Sequence, residues 1–257
     1  MVNLWTPNVL KIYRALDGQM RLVGGCIRDY LLNKTPSDID MATPLLPDEV
    51  HERLRDCKIE SHLIAPRHGL TQITLNGENF EITTLRCDSY EGEKQRVTFI
   101  TDYRTDAIRR DFTINALSMD QSQLYDYVGG KQDLKDHQVR FIGDSEKRIF
   151  EDPLRIFRYI RFWAAFGGDM PDSSVLRLFP KYRDKLKNVS FNRRKKEFLK
   201  IIMGSRPLAA LELMQSGGLF PYIVAHDGLK DLQKLLSVKP KASYTERLLC
   251  FNNYIQN

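Results

Sequence analysis

The sequence predicts an α+β protein, a mixed sheet with helices followed by an all-helical segment. Short apolar or alternating runs broken by glycine turns are confined to the stretch before Gly129-Gly130, whereas beyond Val139 the apolar spacing is helical. Charge divides the chain at the same place. Residues 1–137 hold 17 Lys and Arg against 21 Asp and Glu, a net of −4, and residues 138–257 hold 22 against 12, a net of +10. A carboxylate-bearing half suited to catalysis or metal binding therefore precedes a half suited to meeting a polyanion.

The elements follow in order. Val9, Leu10, Ile12, Tyr13 and Leu16 mark an amphipathic first helix. Residues 20–23 form a short apolar strand that ends at Gly24-Gly25, and residues 26–32 continue as a helix. Ser37 to Thr43 alternates polar and apolar as a half-buried strand does, and Pro47 leads into a helix over 48–55. Residues 70–75 and 80–85 form a hairpin about Asn76-Gly77-Glu78-Asn79. Residues 86–104, polar and centred on Glu91-Gly92-Glu93-Lys94, are expected as a loop or mobile β-excursion. A helix over 106–117 and a strand over 124–128 complete this half. The second half carries helices at 152–166, 192–203, 207–216 and 228–236, with Gly167-Gly168 and Gly217-Gly218 as stops.

Composition removes several functions. No run of about 18 apolar residues exists to span a bilayer. The first residues lack the cationic start and cleavage site of a secretory signal, so a cytoplasmic protein is expected. Cys26, Cys57, Cys87 and Cys250 are widely spaced, with no C-x-x-C pair and no histidine at zinc spacing.

The chemistry centres on Asp38 and Asp40. Residues two apart on a strand share a face, which sets both carboxylates side by side while Ile39 and Met41 turn to the core. Two such acids repel, and Mg²⁺ stabilises both charges with hard oxygen ligands. Glu81, between Phe80 and Ile82, offers a third carboxylate from a neighbouring strand. An isolated D-x-D is usually the wet face of an edge strand. Here Gly24-Gly25-x-x-Arg28 precedes it, with glycines that let backbone approach a phosphate and an arginine to balance it.

VGGCIRDYLLNKTPSDIDMAT resembles the first signature of the class II tRNA CCA-adding enzymes and bacterial poly(A) polymerases, within the DNA polymerase β nucleotidyltransferase superfamily. RRDFTINAL (109–117), EDPLRIFRYIRF (151–162) and SFNRRKKEFLKI (190–201) are similar to later signatures of that family. The resemblance implies a polymerase β-like nucleotidyltransferase head over 1–137, a helical neck that recognises the base over 138–203 and a short helical body contacting tRNA over 204–257. It implies CCA addition to the tRNA 3′ end from CTP and ATP by two Mg²⁺ ions, with Asp38 and Asp40 as metal ligands, Glu81 in support, and neither membrane nor protein partner. Gly24, Gly25, Arg28, Arg110, Asp111 and Asn115 would hold the ribose and triphosphate.

Asp152 and Arg155 would read the exocyclic amine and adjoining acceptor of cytosine or adenine, and Arg158 and Arg161 would help with phosphates. Asp111 and Asn115, four apart, are expected on one helix face. For Asp152 the capping of a helix that starts at Pro153 is the competing account, and the two are compatible. Arg193, Arg194, Lys195 and Lys196 would track RNA, or simply form a solvated helix face. A glutamate expected before these basic residues is replaced by Asn192, which leaves Glu197 without an assigned role. Partial CC- or A-addition, poly(A) tailing and a non-catalytic RNA-binding protein on the same fold remain alternatives.

Overall fold

The computed structural model describes residues 3–91, 94–223 and 229–251. Contacts divide the chain into two compact units, Met1–Lys135 with Arg140–Ile142, and Asp136–Val139 with Gly143–Asn257.

In the first unit the strands β1 (Arg21–Val23), β2 (Asp40–Thr43), β3 (Glu60–Ala65), β4 (Leu70–Leu75), β5 (Glu78–Thr84), β8 (Ser118–Met119) and β9 (Leu124–Tyr125) form a seven-stranded sheet. A separate hairpin pairs β6 (Arg86–Glu91) with β7 (Lys94–Phe99). The order across the sheet is β3-β4-β5-β2-β1-β8-β9, antiparallel except where β2 runs parallel to β5. One sheet face carries Leu22, Met41, Ile73 and Ile82 into the main core. There they meet Val9, Ile12 and Leu16 from the first helical stretch, Cys26 and Ile27 from the second helix, and Val50 and Leu54 from the third. Val23, Ala42 and Leu85 belong to a smaller cluster with Ile100 and Tyr103. That division of a strand between two faces is the period-two rule at work.

Several expectations change in detail. The β4–β5 turn is tighter than predicted, because Asn76 and Gly77 alone make it, at φ 53° and 79°, with Leu75 opposite Glu78. Positive φ at both positions is the signature of a type I′ hairpin, which Asn-Gly favours. Within the stretch 86–104, Arg86–Glu91 and Lys94–Phe99 pair as antiparallel strands and a helix begins at Tyr103, while Gly92 and Glu93 lie outside the described residues. Strand β3 escapes sequence reading because it is an edge strand with a register shift between Leu63 and Ala65 and with Ile64 56% exposed, so no clean alternation marks it.

The predicted helix over 106–117 breaks. The helix ends at Ile108, Phe112 is extended at φ −120° and ψ 146° and bridges to Phe141, and a 3₁₀ turn covers Thr113–Asn115. Burial of the Phe112 ring against Phe141, with centroids 4.6 Å apart, outweighs local helix preference.

The second unit is helical. Arg155–Phe166 buries Ile156, Phe157, Ile160 and Trp163 and packs against Phe191–Ile202 and Pro207–Ser216, which contribute Phe198, Ile201, Ala210, Leu211 and Met214. The Arg206 guanidinium closes the end of the first of these helices by donating to the carbonyls of Trp163, Ala164 and Gly167. The helix expected over 152–166 starts at Arg155, and a separate helix that the sequence reading did not assign, Ser145–Glu151, precedes it and ends at Asp152.

Candidate active site

Asp40 opens β2, and Asp38 lies two residues before it, outside the strand, so the strand is shorter than the sequence suggests. Alternation still holds, for Asp38 and Asp40 are exposed, Ile39 packs against the main core and Met41 is buried. Parallel pairing sets Asp40 opposite Glu81 on β5. Partial burial, then the charges of Asp40 and Asp38, push the Glu81 carboxyl above the usual carboxylate range. The three acids therefore sense one another. Beneath them the Cys26 thiol donates to the carbonyls of Val23 and Asp40, at 3.3 and 3.8 Å. Burial first, and the Asp40 charge second, push that thiol up to about 12, so it stays protonated and inert.

An assembly of hard carboxylate oxygens suits Mg²⁺ and not a soft metal. Among the described residues no three His, Cys, Asp or Glu side chains are gathered as a ready cage. An ion held here would complete its shell with water and phosphate oxygens, which is how Mg²⁺ is usually bound.

Leu22 of β1 stands opposite Met41 in antiparallel register, so β1 ends beside Asp40, and there the chain turns at Gly24, with φ +75°, into the helix Gly25–Leu31. Two arginines converge on this turn. Arg110 comes so close that a Cβ on Gly24 would stand 3.1 Å from its Nη1, and the φ alone already disfavours any other residue. Arg28 donates from Nη1 to Asn115 Oδ1 at 2.7 Å and from Nε and Nη2 to Asp29. Asn115 is held in turn by Asp111, whose Oδ1 accepts from Asn115 Nδ2 at 3.2 Å and from the Phe112 N–H at 2.9 Å. The pair thus meets across a 3₁₀ turn and not along a helix face. Gly24, Gly25, Arg28, Arg110, Asp111 and Asn115 are gathered in one place by these links.

Asp106, which the sequence reading passed over, underlies this group. It is 3% exposed and accepts from Arg109, from Arg110 and from the Arg86 backbone N–H. Its signal was available as acid–base spacing of three and four residues along one helix.

In the second unit Asp152 is extended at φ −147° and ψ 99°. The expected side-by-side placement of Asp152 and Arg155 on a helix is corrected here, because Pro153 bars the helical conformation at the residue before it. Asp152 accepts from the Leu154 N–H at 3.2 Å and from Arg193 at 2.7 Å. Arg155 is buried and donates to Glu151 at 2.8 Å and to the Arg148 carbonyl at 2.7 Å. Arg158 and Arg161 both reach Glu197, at 3.4 and 2.7 Å, and Glu197 is 6% exposed. Glu197 is therefore the anchor of two arginines, a role that local sequence could not reveal because its partners lie 36 and 39 residues away. Among the basic run, Arg194 donates to the Tyr222 carbonyl, Lys195 lies 5.9 Å from the Phe191 ring and Lys196 is exposed.

Residues 20–140 match the family described as Poly A polymerase head domain, and residues 171–227 that described as Probable RNA and SrmB- binding site of polymerase A. Human CCA tRNA nucleotidyltransferase 1, mitochondrial, is 36% identical over 225 residues, covering 84% of this chain and 52% of its own. The CCA-adding enzyme of Lactobacillus helveticus is 34% identical over 230 residues, covering 88% and 56%. The crystal structure of Bacillus stearothermophilus CCA-adding enzyme in complex with CTP superposes with a TM-score of 0.78 at 28% identity, over 91% of this chain and 57% of that one. The chain spans about half the length of the curated relatives it matches. No helix among the described residues is long and apolar enough to cross a membrane. With both family segments in order, the acid strand register and the glycine turn in place, the chain belongs to the family of tRNA CCA-adding nucleotidyltransferases and poly(A) polymerases, and its first unit has their polymerase β-like head fold.

Proposed function

We propose that the protein adds CCA to tRNA 3′ ends from CTP and ATP. The observation that carries this reading is Glu81 set level with Asp40, its carboxyl raised by burial and then by the charges of Asp40 and Asp38, on a sheet whose next strand ends at the Arg110-lined glycine turn. Such an arrangement is costly without cations and an anionic ligand, and a nucleoside triphosphate with Mg²⁺ supplies both.

In the proposed reaction the RNA 3′-hydroxyl attacks the α-phosphate. A new P–O bond forms, the bond to the β-phosphate oxygen breaks, pyrophosphate departs and the hydroxyl proton passes to solvent. Two bound Mg²⁺ ions would sharpen the attacking oxygen and steady the leaving phosphates. Asp38 and Asp40 hold the ions in this scheme, and Glu81 adds negative charge beside them. Arg28 and Arg110 meet the triphosphate, while Asp111 and Asn115 set the ribose.

Base choice is proposed for Asp152 and Arg155, once Asp152 exchanges Arg193 for the exocyclic amine. Uracil and guanine present a carbonyl where that amine is needed, and an unmade buried hydrogen bond discriminates strongly. Residues 1–137 then serve as the catalytic head, 138–203 as the base-reading neck and 204–257 as a body that meets tRNA, with Arg193, Arg194, Lys195 and Lys196 along the RNA backbone.

The test is extension of tRNAs that lack CCA, end in CC, or are complete, with Mg²⁺ and CTP, ATP or both. Stepwise growth that halts at CCA is the expected result. A ladder of A would make the protein a tailing enzyme, a halt at CC a partial one, and no growth with retained tRNA binding would overturn the enzymatic reading.

A further inference from the structure

Under the glycine turn Arg86, Arg109 and Arg110 gather about Asp88 and Asp106. All of these side chains are at most 20% exposed. Burial first and then the Arg109 charge lower the pKa of Arg86 from the ordinary arginine value. Two atoms of the network, Arg86 Nε and Asp88 Oδ1, are buried without a hydrogen-bond partner, although they stand 3.4 Å apart as an ion pair.

Asp106 is the residue that organises this network. Its Oδ1 accepts from Arg109 Nε at 2.8 Å and from the Arg86 N–H at 3.2 Å, and its Oδ2 accepts from Arg110 Nη2 at 3.1 Å and Nε at 3.4 Å. Burial opposes its charge, yet Arg110 and Arg109 hold the carboxyl below the usual range, so it stays ionised. The Arg110 plane is thereby gripped along its Nε–Nη2 edge, and its Nη1 is directed to Gly24 and to the Asn115 carbonyl at 3.4 Å. A guanidinium fixed on one edge by a charged acceptor loses little further freedom when another anion meets it.

We infer that Asp106 is a positioning residue for triphosphate binding, acting through Arg110, whose guanidinium it aims at the glycine turn where the phosphates of a nucleoside triphosphate would lie. This inference deepens the proposed function and rests on it for the identity of the ligand. Asp106 touches no substrate in this account. It sets the direction of a residue that does.

The test is direct binding of CTP in the presence of Ca²⁺, independent of turnover. Asp106→Asn is expected to weaken CTP by about tenfold while leaving CMP within about twofold, since the lost alignment concerns the outer phosphates. In an Arg110→Ala background the same substitution is expected to add almost nothing, because its effect passes through Arg110, whereas a merely structural role would add fully. Should Asp106→Asn fail to fold, Asp106→Glu replaces it, with a loss of about threefold that likewise vanishes without Arg110.

Equal losses in both backgrounds, equal losses for CTP and CMP, or unchanged CTP affinity would each overturn the inference. Wild-type protein that binds CTP but extends no tRNA would sink the proposed reaction and leave this inference standing.

Discussion

The acid strand of the first unit and the arginine helix of the second handle charge in opposite ways. Asp38, Asp40 and Glu81 are like charges set close together by strand register, exposed and mutually unfavourable. Arg155, Arg158 and Arg161 are instead each bound to a carboxylate of their own unit, to Glu151 or to Glu197. Repulsion that a fold tolerates points to a ligand that relieves it. Arginines already paired internally point to a surface whose geometry is prepared before the ligand comes, and which gives up or shares partners on binding. On the proposed reading, the difference separates a place for cations and chemistry from a place for recognition.

Substitutions in each region sharpen that contrast. Asp40→Ala removes one member of the repelling set, and we expect nucleotide incorporation to fall by about a thousandfold or more while tRNA affinity in filter binding stays near wild type. Retained turnover would dismiss the metal assignment. Glu197→Ala removes the buried carboxylate shared by two arginines that are at most 31% exposed, so urea unfolding should show a loss of about 3 kcal/mol. A loss under about 0.5 kcal/mol would mean that the pairs are no better than surface bridges.

Asp152→Ala should leave stability nearly unchanged, because it caps a short segment and holds an Arg193 that is 54% exposed. Its expected effect is on selectivity, with discrimination against UTP and GTP in single-nucleotide extension reduced by about 2 kcal/mol. Unchanged selectivity would return Asp152 to a capping role.

Glu81→Gln tests the repelling set by its pH dependence. A carboxyl whose pKa is raised on folding binds its proton more tightly in the native state, so its ionisation costs stability as pH rises through and above the ordinary carboxylate value. Without Mg²⁺, Glu81→Gln should therefore raise the thermal midpoint at neutral pH, by roughly 1–2 °C given the exposure of the group, and have no effect below about pH 4. Addition of Mg²⁺ should shrink the gain. A lower midpoint at neutral pH would show that Glu81 is not under strain from its neighbours.

Much of the site was legible in the residue string because its parts are local. Gly24-Gly25 and the Asp38/Asp40 alternation need only a turn and a strand, and both are set by a few consecutive residues. The partnership of Asp111 with Asn115 was also correct as a contact, though wrong in its cause, since the buried Phe112 ring bends the chain where helix spacing seemed to run on. Asp152 shows the same limit in reverse. The proline that suggested a helix start also denied the aspartate the helical backbone that base-reading by spacing required.

What the sequence determined by itself was the succession of a mixed sheet and a helical segment, the division of charge and the carboxylate pair, because periodicity, turn chemistry and formal charge act over a few residues. The tertiary structure alone decided which charges are paired. Glu197 finds Arg161 across 36 residues, Arg193 finds Asp152 across 41, and Asp40 comes level with Glu81 only through a parallel register between strands distant in sequence. Such contacts depend on how elements pack, and packing is the sum of the whole core, so no local window contains it.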